Sequence, residues 1–196
     1  EHPRFALGYY VRGEAQVHAR RFGAAGIDMA RSCRIDVALA DRLYVRLQGV
    51  AVRSRKNMGD RVILTALRQG VNSDPSDEPE AHLARAFLAG LLGDAEKGRV
   101  EAEAALKGDA SYTVARAWLA WMLHRLGRDE EAMPLLIEVE REAPEVALAP
   151  YFMACIEGAR GRLDAARGHL DRSFRLGLHD EEIRNGEPDL RAVLAR

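Results

Sequence analysis

Three observations predict an all-α fold, an α-solenoid of stacked helix pairs. Glycines recur at a fixed interval: Gly93, Gly127 and Gly161 stand 34 residues apart, and the same step back reaches Gly59. The apolar residues flanking these glycines follow a helical period. Sustained apolar/polar alternation with β-branched residues, the mark of strands, is almost missing. A fixed period of this length signals one supersecondary unit repeated along the chain. Here the unit is a helix, a tight glycine turn and a second helix.

Composition agrees. The 196 residues suffice for one domain or one repeat array without disulfide support. A chain that is 47% hydrophobic and 30% charged is neither disordered nor collagen-like. The net charge of -1 argues against a polyelectrolyte partner for the chain as a whole. It is nevertheless a cancellation. Residues 1–70 hold 13 Lys+Arg against 6 Asp+Glu, and the rest holds 16 against 24. The array therefore has a basic first third and an acidic remainder. Cys33 and Cys155 form no Cys-x-x-Cys pattern, so two free buried thiols are expected rather than a disulfide or a zinc ribbon. No apolar run approaches the roughly 20 residues of a membrane span, so no membrane insertion is expected. No secretory pattern opens the chain, and the cytoplasm is the default compartment. The start at Glu1-His2-Pro3, without methionine, leaves a preceding segment open.

The unit Thr113–Val146 is the clearest. Leu119, Met122, Leu123 and Leu126 mark one helical face; after Gly127, Ala132, Leu135, Leu136 and Val139 mark another. Pro144 closes the unit, because proline cannot continue a helix. Small and large apolar residues at these offsets, with a closing proline, resemble the tetratricopeptide repeat. The match departs from the pattern at the opening tryptophan, where Arg116 stands and Trp118 is displaced by two. Ala147–Asp180 repeats the pattern with Met153, Ala154, Gly161, Ala166 and Leu170, and Pro79–Tyr112 with Ala86, Gly93, Gly98, Ala102 and Ala105. Val45–Glu78 is more degenerate, with Gly59 in register and a stripe of Ile63, Leu67 and Val71. Ala6–Leu39 forms a first unit with Arg20 at its turn. The step from Arg20 to Gly59 is 39, so about five extra residues, near Ala40–Tyr44, are expected as a longer helix or a loop. One domain over 1–196 follows, with repeats near 6–39, 45–78, 79–112, 113–146 and 147–180. A C-terminal capping helix is expected within 183–196, where Leu190, Val193 and Leu194 suit a cover for the last apolar face.

Catalytic signatures are not found. The six histidines form no His-Glu-x-x-His, and neither a nucleophile elbow nor a phosphate or dinucleotide loop is present. No enzyme, no cofactor and no metal site is therefore predicted. The resemblance implies instead a concave groove lined by the first helix of each unit. Carried onto this chain, it places Leu83, Phe87, Trp121, His124 and Tyr151 along that groove, with Val114, Leu148 and Cys155, and Trp118 at its edge. Aromatic anchors favour a binding surface for a peptide or amphipathic helix of another protein. The alternative is that both tryptophans only pack between helices. Arg46, Arg53 and Lys56 would add a basic stretch for an acidic segment, against the plainer reading of a solvated face. The Lys/Asn/Arg set with which some family members hold a chaperone's C-terminal carboxylate is not reproduced: Tyr10, Glu14, Val50, Glu80 and Ala84 occupy those places. A scaffold for a protein or peptide partner is the leading expectation. Self-association, or service as a module of a longer protein, is the alternative, and nucleic acid is disfavoured.

Overall fold

The computed structural model describes residues 3–54, 57–178 and 187–195. Among them no strand is present, and the chain runs as antiparallel helix pairs. The first pair is α1 (Pro3–His18) and α2 (Phe22–Ile35), followed by α3 (Leu39–Ser54) and α4 (Met58–Asn72). Then come α5 (Pro79–Leu91) with α6 (Ala95–Gly108), α7 (Thr113–Arg125) with α8 (Asp129–Glu142), and α9 (Leu148–Ala159) with α10 (Leu163–Arg175). A 3-10 turn (Pro188–Leu190) leads into a short α11 (Arg191–Leu194).

The turn glycines work as their spacing predicts. Gly93, Gly127 and Gly161 have φ of 83°, 74° and 73°. This left-handed conformation ends a helix and turns the chain back, and a side chain there is strained. Arg20 takes the same conformation in the first pair, with φ of 58°. Gly59 does not. It lies in the first turn of α4 and donates its N–H to the Asn57 side chain at 2.8 Å. The 34-residue register therefore misreads this position: an asparagine cap, not a glycine turn, starts α4.

From α5 onward the pairs stack in sequence, α6 against α7 and α8 against α9. The first two pairs depart from that order. Helix α2 packs against both α4 and α5, and also reaches α7. The Tyr112 hydroxyl donates to the Ala30 carbonyl at 2.6 Å, and Arg34 pairs with Glu80 at 2.8 Å and with Asp109 at 2.9 Å. These bonds fix α2 beside the third pair, in the row where a regular array would continue, and α3 leaves that row. The extra residues near Ala40–Tyr44 are the opening turns of α3. Their apolar side, Leu39, Ala40, Leu43 and Tyr44, is buried, with partly buried Leu47 continuing the stripe.

The two thiols are free and buried. Burial pushes the Cys33 thiol up to about 12, so it stays protonated and unreactive. Among the described residues, no helix is long and apolar enough to cross a membrane.

Candidate functional site

Helices α5, α7 and α9, each the first of its pair, run side by side and present an apolar row. Five aromatic rings dominate it: Phe87, Trp118, Trp121, Tyr151 and Phe152. Phe87 meets Trp118 edge-on with centroids 4.6 Å apart, and Trp121 stacks on Phe152 at 4.6 Å with 13° between the planes. Offset and edge-on ring pairs of this kind are favourable beyond their buried area.

The predicted open groove is closed, and this corrects the sequence reading. Leu83, Phe87, Trp118, Trp121, His124 and Tyr151 are all less than 9% exposed. Two parts of the same chain cover them. The first is α3. Its Tyr44 ring lies 6.0 Å from Trp118, 5.9 Å from Tyr151 and 5.5 Å from Phe152. Gln48, one turn on, donates to the Tyr44 hydroxyl at 3.2 Å. At the start of α3 the Asp41 carboxylate accepts from the Ala147 and Leu148 N–H groups at 2.9 and 3.0 Å. Helix α9 has no side-chain cap of its own. Asp41 therefore caps it from another helix, satisfying two orphan donors at the positive end of the helix dipole. Burial pushes the Asp41 carboxyl up to about 6, against the lowering by these two N–H bonds.

The second cover is the C-terminal turn. Its Asp189 backbone carbonyl lies so close to α9 that a Cβ on Gly158 would come within 2.3 Å of it. The Asp189 side chain accepts from His124 Nε2 at 3.2 Å, while His124 Nδ1 faces Asp129 at 2.7 Å. Burial lowers the His124 pKa, but its bonds to Asp189 and Asp129 outweigh that and raise it. Leu190 and Val193 are buried against the last pair, as expected of a cap; residues 183–186 of the expected cap lie outside the described residues.

Among the described residues, the basic stretch does not line the row. With the apolar side of α3 turned inward, Arg46 is left on its outer side and pairs with Glu14 of α1. Arg53 is exposed further along α3. Lys56 lies outside the described residues. The first third is basic, yet many of its described arginines are already neutralised: Arg12 by Asp28 at 2.5 Å, Arg31 by Glu78 at 2.8 Å and Arg34 by Glu80. A cleft of ≈ 660 Å³ beside Tyr9 is lined by Arg31, Arg34, Glu78 and Glu80. Sequence reasoning missed Asp41, Tyr44 and Phe152. A signal for the first two existed, because Leu39, Leu43 and Leu47 make an i, i+4, i+8 stripe across the supposed insertion.

No protein-family model and no curated protein matches the chain. Among solved structures, yeast Tom70 is similar over 94% of this chain, with TM-score 0.50 and 19% identity. The chain spans 38% of the Tom70 chain's length. MamA from MSR-1 matches with TM-score 0.48 and 16% identity over 87% of this chain and 95% of its own, and a MamA mutant with 0.46 and 17% over 87% and 96%. At these identities the likeness is one of fold. The chain has an all-α helical-repeat solenoid fold.

Proposed function

We propose that the chain is a non-catalytic protein-interaction scaffold, one helical-repeat domain whose row of α5, α7 and α9 binds a helical segment of another protein. The seating of α3 carries this reading. A helix already lies on the row, fastened by an aromatic residue and a carboxylate. The surface therefore has the dimensions and chemistry of a helix-binding groove. Its centre is rich in Trp and Tyr, the residue types that dominate binding energy where interfaces are desolvated.

The test is an affinity measured on a partner captured by the full chain and then purified. Trp121→Ala, with folding checked by circular dichroism, is expected to weaken that partner at least tenfold. Unchanged affinity would overturn the assignment of the row.

Self-association is a second reading, favoured by one observation. Phe5, Leu7 and Val11 of α1 are each more than half exposed, at the outer end of the array. A repeat array needs a polar end face to stay monomeric. Ultracentrifugation of the chain and of Leu7→Glu separates the readings: a dimer that Leu7→Glu dissolves supports this one.

A further inference from the structure

We infer that the surface beneath α3 recognises amphipathic helices of one pattern: an apolar residue, a carboxylate two positions on, leucine four positions on and an aromatic five positions on. Helix α3 is its internal occupant and competes with the partner. This deepens the scaffold reading and rests on it.

The pattern is that of Leu39, Asp41, Leu43 and Tyr44, and each element answers a feature of the seat. The carboxylate meets the Ala147 and Leu148 N–H groups, which no side chain of α9 caps. The aromatic ring fills the space bounded by Trp118, Tyr151 and Phe152. Leu39 and Leu43 are 5% and 2% exposed, so both are covered on seating. The arrangement pairs a charged fastening with an aromatic anchor one turn away. A helix without the carboxylate leaves two donors orphaned, and one without the ring leaves a cavity.

Three observations make α3 an exchangeable occupant. Within the ring cluster the Trp118 Nε1 donor is buried with no hydrogen-bond partner, so α3 fills the seat without satisfying it. A competing helix that brings an acceptor to this donor gains what α3 lacks. Next, α4, which follows α3 in its repeat, leaves Met58 and Val62 on its first two turns 75% and 62% exposed. Finally, a cleft of ≈ 480 Å³ runs along the edge of the seat, lined by Tyr10, Asp41, Arg42, Arg46 and Leu178. The fastening at Asp41 is thus reached from outside. Only the short stretch 36–38 joins α3 to α2.

The probe is a fluorescein-labelled synthetic peptide of residues 37–54, measured by anisotropy against the full chain and against full chains carrying Asp41→Lys or Tyr44→Ala. Folding is monitored by helical circular dichroism and a cooperative urea transition. The wild-type peptide is expected to bind the variant chains at least tenfold more tightly than the intact chain. Peptides carrying Asp41→Lys or Tyr44→Ala are expected to lose that binding. Should Tyr44→Ala fail to fold, Asp41→Lys at the edge of the seat still gives the readout. On the intact chain, a hundredfold excess of wild-type peptide is expected to speed hydrogen exchange of the Leu43 and Leu47 amides. Folded variants that refuse the wild-type peptide overturn the proposal, as do variants that take up all three peptides alike. Variants that dimerise while ignoring the peptide reserve the seat for a second copy of the chain and also overturn it. If the peptide is refused but a Trp121-sensitive protein partner still binds, only this inference falls and the scaffold reading stands.

Discussion

The Asp41 carboxylate accepts a 3.0 Å hydrogen bond from the Leu148 N–H across 107 positions of sequence. In a repeat array most contacts join neighbouring units, and stability is close to a sum of local terms. This bond joins the second unit directly to the fifth. It ties the basic first third to the acidic remainder and closes what a regular array would leave open.

The burial of the Asp41 carboxyl is expected to make stability depend on pH in a defined direction. The Asp41 carboxyl is pushed up to about 6 by burial, from an ordinary value of 3.8. The folded state therefore binds its proton more readily than the unfolded chain does. Ionising the buried carboxyl costs stability, so the favourable contribution is fully present below about pH 3.8 and is lost as pH rises through about 6, the two N–H bonds offsetting only part of that cost. Its size is on the order of 1–3 kcal/mol. Asp41→Asn removes this titration. Urea unfolding of both chains from pH 4 to 8 should give a stability difference that changes mainly between pH 4 and 6, and a constant difference would refute the assignment.

Tyr44 is 2% exposed and meets three aromatic rings. Tyr44→Ala is expected to cost about 3–5 kcal/mol, as for other large aromatic truncations in a core. Tyr44→Phe keeps the ring and loses the hydroxyl that accepts from Gln48, so it should cost less than about 1.5 kcal/mol. Equal effects of the two substitutions in chemical denaturation would show that the ring does not anchor α3.

Turn conformations give a pair of opposite predictions. Arg20 is a non-glycine residue at φ of 58°, so Arg20→Gly should stabilise the chain by about 0.5–1 kcal/mol. Gly127 is at φ of 74° with open space around it. Gly127→Ala should therefore destabilise by about 1–2 kcal/mol, from backbone strain and not from a clash. Thermal melts of the two variants shifting in the same direction would contradict this.

The C-terminal turn is expected to loosen as pH rises. Burial lowers the His124 pKa, and its bonds to Asp189 and Asp129 together raise it by more. Stability from a raised imidazole is present below the ordinary histidine range and is lost as pH rises through the raised value. Exchange at the Leu190 and Val193 amides, corrected for intrinsic pH dependence, should accelerate across that interval. His124→Gln should make the acceleration disappear. Acceleration that persists in His124→Gln would assign it to another group.

The helix pairs were legible because each signal is local. Gly93, Gly127 and Gly161 announce their turns through backbone conformation, which depends on the residue and its immediate neighbours. Gly59 shows the limit of counting by period: the same residue in register has another role, because Asn57 beside it caps a helix. The site was legible in part. The aromatic residues Trp121 of α7 and Phe152 of α9 stack in one row, on the first helices of their pairs, to which the resemblance points. Their burial was not legible, since it depends on a helix that lies far away in sequence and leaves its place in the stack. The 39-residue step recorded that departure as an arithmetic excess, and the leucine stripe across it was the physical clue. Arg46 and Arg53 were misassigned to the groove for the same reason: a helix turned toward the row by its apolar side carries its arginines outward.

Protein synthesis gives the distance between Asp41 and Leu148 a temporal meaning. The chain is made from its first residue onward, so α3 leaves the ribosome before α7 and α9 exist. At roughly 5–20 residues per second, the wait for Leu148 lasts about 5–20 seconds. Throughout that interval the seat of Tyr44 lacks the Tyr151 and Phe152 rings of α9, and its closure is incomplete. The nascent chain therefore passes through a stage in which its own anchor helix is incompletely seated. Maturation ends only when the last repeat emerges and takes it in.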